Sequence, residues 1–252
     1  MRRKAAWASA ALMLITGSGV AGADSDALWN LVSGQCVVDE VAYRDPAPCA
    51  AVDLDGGWAI LKDTIGPRQY LLIPTAKVSG VESPELLAPG APNYFAAAWQ
   101  ARSFTEAAAG GALPREWMSL AVNSSVSRSQ NQLHIHIDCV RADVHDAVIR
   151  YASGIGPDWA PFPALLADHT YDAMWVDGDQ LSANPFRLRA AKLANPADEM
   201  GIQTLVVVGA LRDGRPGFVI LADRADGETG DFAGGEQLQD HGSCPPPVMA
   251  GK

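Results

Sequence analysis

Residues 129–140 read SQNQLHIHIDCV, and this stretch decides the fold. Polar and apolar side chains alternate from position 132, which places Gln132, His134, His136 and Asp138 on one side. A β-strand has a side-chain period of two, so the pattern predicts a half-buried strand with four polar groups on one face. Imidazole and carboxylate groups held together on a rigid strand suit nucleophilic catalysis, acid–base catalysis or metal binding.

The rest of the chain predicts an α+β fold, in which helices pack against an antiparallel sheet. Strands at 58–62 and 69–73 flank a Gly-Pro turn and form one hairpin, and strands at 204–208 and 218–221 form another. The alanine-rich segment 93–109 is the clearest helix, and two glycines end it. Further expected elements are helices at 25–32, 143–151 and 185–193, strands at 117–122 and 173–176, and a loop rich in cysteine and proline after the first helix. We expect residues 24–252 to form one domain.

Residues 1–23 predict an export signal. A basic start, MRRK, precedes an apolar run at 5–15 and the small-residue motif AGA at 21–23. The run is shorter than the roughly 20 apolar residues of a spanning helix. We therefore expect cleavage after Ala23, with a membrane anchor at 5–23 as the alternative. Either way the domain lies outside the cytosol, in the periplasm or on the periplasmic face of the inner membrane.

The four cysteines predict two disulfide bonds, because their number is even and the chain is exported. Three pairings are open. Cys36–Cys49 and Cys139–Cys244 are favoured, since the first closes a short loop and the second ties the tail to the histidine strand. Zinc binding by these cysteines is less favoured, because close Cys-x-x-Cys spacing is absent.

The charge of the chain disfavours some partners. The formal net charge is −10, and it becomes −13 when Arg2, Arg3 and Lys4 leave with the signal. Such an acidic protein is a poor general binder of nucleic acid or anionic membrane. An anionic substrate would need a local positive pocket.

The loop before the histidine strand predicts phosphate binding. Residues 123–131 read NSSVSRSQN, with one apolar residue and one cation. Hydroxyl, amide and guanidinium groups bind phosphate oxygens, although a solvated loop has a similar composition. The alternatives for His134 and His136 are a metal site, with His145, His169 or His241 as third ligand, and a structural pair in the core.

Residues 127–139, SRSQNQLHIHIDC, resemble the signature of the CDP-diacylglycerol pyrophosphatases, a branch of the histidine-triad superfamily. The resemblance covers nearly the whole chain after residue 23, and the cysteine positions fit as well. Its further blocks are WAILKD (58–63), GPRQYLLIPT (66–75), ESP (82–84), PNYF (92–95), AWQAR (98–102) and QDH (239–241).

The resemblance implies hydrolysis of CDP-diacylglycerol to CMP and phosphatidate. The superfamily pattern, His-Φ-His-Φ-His-Φ-Φ, places His134 at the central, nucleophilic position and His136 at the third. Gln132 stands where the pattern has its first histidine, and Asp138 stands where it has an apolar residue. Gln132 can form hydrogen bonds but carries no charge, which bears on rate more than on function.

The expected roles follow from this pattern. His134 forms a cytidylyl-histidine, and His136 and Arg128 stabilise the charge on the phosphoryl oxygens. The other expected substrate contacts are Lys62, Asn123, Gln130, Asn131, Trp99 and Arg102. We expect no metal and no other cofactor, no nucleic acid, and a membrane surface for access to the substrate.

Two other classes of protein fit the same residues. One is a metal-dependent exported hydrolase or metal-binding protein that uses His134 and His136. The other is a non-catalytic nucleotide- or lipid-binding module, in which Gln132 marks the decay of an active site.

Overall fold

The computed structural model of the chain describes residues 24–245. The predicted export signal at 1–23 therefore lies outside the described residues. Within 24–245, no helix combines the length and the hydropathy that a membrane crossing requires.

Within the described residues, nine strands form a single sheet in which every neighbouring pair is antiparallel. The strands are β1 Ala51–Asp53, β2 Trp58–Lys62, β3 Tyr70–Pro74, β4 Met118–Val122, β5 Ile135–Cys139, β6 Ala160–Pro161, β7 Asp172–Asp177, β8 Gln203–Arg212 and β9 Arg215–Arg224. Their spatial order is β1-β2-β3-β5-β4-β8-β9-β7-β6. The histidine strand β5 thus lies in the middle of the sheet, between β3 and β4.

Six α-helices accompany the sheet in the described residues. They are α1 Ala27–Leu31, α2 Val37–Tyr43, α3 Tyr94–Ala108, α4 Ala142–Tyr151, α5 Pro185–Ala190 and α6 Pro196–Glu199. A π-helical turn, Val32–Cys36, joins α1 to α2. The predicted α+β fold is confirmed, and so are both hairpins and the alanine-rich helix.

The helices cover the two faces of the sheet unequally. Helix α3 packs on one face, where Phe95 and Trp99 join Ile135 and Ile137 of β5 in one apolar cluster. On the other face, α1 covers β3 in a second cluster, and α4 covers β8 and β9 in a third. Strand β5 lies between these two coverings, so its second face borders a gap between helices.

Two predictions about local structure are wrong. The histidine strand is buried on both faces, not on one, because all residues from 132 to 140 are buried beneath the neighbouring elements. The first helix does not end at residue 32, since the π turn and α2 carry it to Tyr43. Cys36 belongs to this π turn, so the expected loop at 33–43 is helical.

Both favoured disulfides are confirmed. Cys36 bonds Cys49 across 13 residues, and Cys139 bonds Cys244 across 105 residues. The second bond anchors the chain end beside the histidine strand. Two disulfides are consistent with a protein that folds in an oxidising compartment.

Candidate active site

A cavity of about 480 Å³ occupies the gap above β5. Its inner wall contains His134 and His136, and polar side chains from the 123–131 loop border them. Its apolar lining consists of Ala27, Leu28, Leu31, Leu61, Ile65 and Leu71. One cavity therefore joins a pair of imidazoles to a hydrocarbon surface.

His134 is held in one orientation by the backbone. Its Nδ1 lies 2.7 Å from the carbonyl oxygen of Gln132. A carbonyl only accepts hydrogen bonds, so Nδ1 carries the proton and Nε2 carries the free lone pair. The ring is 8% exposed and lines the cavity. This tautomer makes Nε2 available as a nucleophile.

His136 packs edge-on against His134, with 4.9 Å between the ring centroids. The side-chain nitrogen of Gln69 lies 2.7 Å from Nδ1 of His136 and 2.6 Å from Oδ2 of Asp63. Gln69 must donate to the carboxylate, so this amide nitrogen also donates to Nδ1. His136 consequently carries its proton on Nε2, which is buried and has no hydrogen-bond partner within residues 24–245. That N–H is an unused donor on the ring that packs against His134.

Both imidazoles are neutral at pH 7. Burial lowers the pKa of His134 to about 4, and the neighbouring His136 adds to the effect. Burial also lowers the pKa of His136 to about 4, although Asp63 opposes this shift. Oε2 of Glu236 lies 3.1 Å from Nδ1 of His136, where it can pair with the ring only when the ring is protonated. Glu236 is thus placed to stabilise an imidazolium at His136.

Gln132 serves the site through its backbone. Its side-chain nitrogen donates to the carbonyls of Pro74 and Ala76, and its side-chain oxygen accepts from the amide of Val78. The buried amide therefore joins the segment after β3 to the start of the histidine strand. The carbonyl of Gln132 is the atom that bonds the ring of His134.

Arg128 lies beside the main cavity and does not line it. Its guanidinium bonds the carboxylate of Glu82 at 2.6 Å. Burial raises the pKa of Glu82, but the hydrogen bond and charge of Arg128 outweigh burial and leave it lowered. Asn131 is exposed, contacts Arg128 and Ser25, and also lies outside the cavity wall. The structure therefore gives both residues contacts that hold the loop.

Three other predicted residues do line the cavity. Lys62 donates to the carbonyls of Asp63 and Gly66, which leaves one N–H of its ammonium group. Asn123 accepts from the amide of Glu236, and its side-chain nitrogen remains for a ligand. Gln130 bonds the backbone of Leu28 and thereby ties the loop to α1.

Trp99 and Arg102 lie away from this cavity. Trp99 is buried under α3 with Ile135 and Ile137, whose side chains point to the face of β5 opposite His136. The guanidinium of Arg102 lies 4.6 Å from the centroid of the Trp99 ring. The sheet separates both residues from the histidines, so the structure supports a packing role for them.

Sequence reasoning missed three residues of the site, Asp63, Gln69 and Glu236, and considered His241 only as a metal ligand. Gln69 is 67 positions from His136 in the chain, and no local pattern links the two. His241 bonds Asp138 at 3.0 Å, and this bond raises the pKa of His241. Burial raises the pKa of Asp138 despite its bond to His241. The sequence feature that pointed to His241 was the block QDH at 239–241, which is part of the family resemblance.

Two of the histidines considered as third ligands under the metal alternative have other partners. His145 stacks on Trp117 with 3.7 Å between centroids, and His169 pairs with Asp231. Within residues 24–245, two groups of three side chains of metal-binding type converge, and neither contains His134 or His136. One of the two groups includes the cysteines of a disulfide bond.

Comparison with known proteins agrees with this geometry. Residues 23–245 match the family model described as CDP-diacylglycerol pyrophosphatase. A curated CDP-diacylglycerol pyrophosphatase from Yersinia pestis is 42% identical over 219 residues, which cover 86% of this chain and 84% of the relative. These two matches define the class of the protein as a hydrolase of phosphoric anhydrides. The chain belongs to the CDP-diacylglycerol pyrophosphatase family.

Proposed function

We propose that this protein hydrolyses CDP-diacylglycerol to CMP and phosphatidate, with His134 as a covalent nucleophile, as in the histidine-triad superfamily. The observation that carries the proposal is the 2.7 Å contact between Nδ1 of His134 and the carbonyl of Gln132. It leaves the Nε2 lone pair on a neutral ring that borders a cavity large enough for a ligand.

In the first step, Nε2 of His134 forms a bond to the phosphorus of the cytidylyl group. The bond from that phosphorus to the bridging oxygen breaks, and phosphatidate leaves with the electron pair. A phosphate monoester has a second pKa of about 6, so it leaves without a strong general acid. The ring gains positive charge, which strengthens its hydrogen bond to the carbonyl of Gln132.

Charge on the phosphoryl oxygens is stabilised by donors around the cavity. The Nε2–H of His136, on the ring that packs against His134, is one such donor, and Lys62 contributes the cation. The amide of Asn123 is a further donor. Arg128 acts through the shape of the loop, because its guanidinium is engaged with Glu82.

In the second step, water attacks the phosphorus, the nitrogen–phosphorus bond breaks, and its electron pair returns to Nε2. The proton lost by water passes to the solvent. The lowered pKa of His134 makes its ring a weak base and therefore a good leaving group in this step. CMP is released, and His134 is restored.

The apolar wall accounts for the lipid half of the substrate. Leu28 and Leu31 of α1 face the same cavity as the histidines, so the glycerol and the first acyl carbons would lie against them. On α2, which continues this helical run, Val38, Val41 and Tyr43 are 51%, 64% and 75% exposed. We propose that this surface of α2 contacts the periplasmic face of the inner membrane, from which the substrate is drawn.

Trapping of the intermediate tests the chemistry. The full chain is mixed with CDP-diacylglycerol labelled with ³²P in the cytidylyl phosphate, quenched, and assayed for protein-bound label that is stable to alkali and labile to acid. Label is expected in the wild type and absent from His134→Ala. Substrate labelled in the phosphatidate phosphate is the control and should leave the protein unlabelled. CMP release without any trapped label would replace the covalent step with direct attack by water.

Measuring CMP release with and without EDTA distinguishes the histidine mechanism from a metal-dependent hydrolase and from a non-catalytic binding module. Turnover that persists in EDTA supports the histidine mechanism, and turnover that EDTA abolishes supports a metal-dependent hydrolase. An absence of CMP together with tight binding of the lipid would indicate a non-catalytic module.

The membrane surface has its own test. Val38→Ser/Val41→Ser/Tyr43→Ser should lose turnover on substrate in vesicles and keep it on substrate in detergent micelles. Leu165→Ser, which alters a leucine that is 60% exposed elsewhere, should behave as wild type in both. Equal loss in both forms of substrate would contradict a membrane role for α2.

A further inference from the structure

A second cluster of ionisable side chains lies outside the histidine cavity. His169, Asp223 and Asp231 each direct one atom of metal-binding type to within 4.8 Å of the others. Nδ1 of His169 lies 2.5 Å from Oδ2 of Asp231 and 4.0 Å from Oδ2 of Asp223. His169 lies 62 positions from Asp231 in the chain, so the fold brings the imidazole to the two carboxylates.

The backbone orients both carboxylates in the same way. Oδ1 of Asp223 accepts from the amide of Arg224 at 2.6 Å, and Oδ1 of Asp231 accepts from the amide of Ala233 at 2.8 Å. In each case Oδ2 remains for the cluster. Carboxylates held through one oxygen are oriented as single-oxygen ligands.

Asp223 lacks compensation for its burial. It is 6% exposed, and its Oδ2 has no hydrogen-bond partner within residues 24–245. Among residues 24–245, no lysine or arginine forms an ion pair with Asp223 or Asp231. A buried carboxylate facing another is costly unless a cation balances both.

We propose that His169, Asp223 and Asp231 bind one divalent transition-metal ion, for which Zn²⁺ is the best fit. One imidazole and two carboxylates suit zinc, which takes nitrogen and oxygen ligands at about 2.0–2.2 Å. A tetrahedral ion at those distances separates its ligands by about 3.3 Å, so small side-chain shifts complete the site. Cavities of about 380 and 490 Å³ border it and leave room for a water ligand.

The ion would fasten the segment that carries Glu236. Asp231 closes a turn in which it exchanges two backbone hydrogen bonds with Asp226. The chain then passes Ala233, whose carbonyl accepts from the amide of Ser124, and reaches Glu236 beside His136. The role inferred for the ion is structural, so no step of the hydrolysis passes through it.

Equilibrium dialysis of the chelator-stripped full chain against Zn²⁺ tests the site. Metal analysis should show that Asp223→Asn and Asp231→Asn each bind one ion fewer per chain than the wild type. His134→Ala/His136→Ala should keep this ion. Asp168→Asn is the matched control, because it removes an exposed carboxylate next to His169 that is outside the cluster.

Thermal unfolding separates metal binding from simple structural damage. At free zinc about 100 times the Kd, the wild-type Tm should rise by roughly 5–10 °C. Asp223→Asn can keep the bond from Arg224 to its Oδ1, so its Tm without metal should equal or exceed that of the wild type, whereas its response to zinc should vanish.

The site would be overturned by wild-type protein that binds no zinc at millimolar free metal. It would also be overturned if Asp223→Asn bound as many ions as the wild type. Neither result bears on the proposed hydrolysis, which is tested separately by CMP release.

Discussion

The carbonyl of Gln132 accepts a 2.7 Å hydrogen bond from Nδ1 of His134. The residue at the first position of the motif thus fixes the tautomer of the central histidine through its backbone. Any side chain at position 132 leaves that carbonyl in place. This explains how a glutamine can stand where the superfamily pattern has a histidine.

His134→Ala should reduce CMP release to less than about one part in a thousand, because the covalent route disappears. Turnover in mixed micelles is the measurement. His145→Asn is the matched control, since His145 stacks on Trp117 outside the cavity, and it should stay within about twofold of wild type. Near-normal turnover of His134→Ala would rule out His134 as the covalent nucleophile.

His136→Ala should be less damaging than His134→Ala. It removes one donor to the phosphoryl oxygens, and such a donor contributes about 2.7–4 kcal/mol, or 10²–10³ in kcat. The cytidylyl-histidine should still form, only more slowly, as single-turnover trapping would show. A complete loss of trapped label would instead make His136 part of the nucleophile.

Gln132→His should keep most of the turnover and lower stability. The carbonyl that orients His134 is unchanged, but an imidazole cannot make all three bonds that the glutamine amide makes. A buried polar group left unpaired costs about 1–3 kcal/mol. Urea unfolding should show this loss beside a kcat within tenfold of wild type. A kcat loss above a hundredfold with unchanged stability would give the glutamine side chain a direct catalytic role.

Activity should persist well below the ordinary pKa of histidine. The pKa of His134 is lowered to about 4, so the free enzyme keeps its nucleophile neutral and kcat/KM should hold its plateau to about pH 5. An acid limb centred near pH 6.5 would contradict the buried, neutral imidazole.

The free energy of unfolding should also depend on pH through His134 and His136. His134 and His136 have folded pKa values of about 4, and unfolded histidine has a value near 6.5. Between these values the unfolded chain binds more protons, so the free energy of unfolding falls as pH falls through that window. His134→Ala/His136→Ala should flatten this dependence in urea unfolding curves.

The two disulfides should differ in their effects. Loop entropy predicts about 3 kcal/mol for a short loop such as that of Cys36–Cys49 and about 4.7 kcal/mol for a loop near 100 residues. Cys139–Cys244 closes a separation of 105 residues and anchors the segment that carries His241. Serine pairs should therefore show larger losses of both stability and turnover for Cys139/Cys244. Equal losses of turnover would argue against a role for the anchored tail.

Much of the fold was accessible from the sequence because it is recorded in local patterns. Alternation in 132–140 predicted β5, and turn residues predicted the hairpins. The alanine-rich run ending at Gly110 predicted α3. The proposal of His134 as nucleophile rests in the same way on its place in a motif of contiguous residues.

The tertiary structure alone decided which polar groups share the cavity. Gln69, Glu236 and His241 reach β5 from distant elements, and Arg128, which composition placed on the phosphates, pairs with Glu82 instead. Trp99 belongs to the block AWQAR of the family resemblance, yet the sheet separates it from the histidines. Sequence patterns report the environment along one element, whereas the partners of a buried charge depend on strand order and on which face each helix covers.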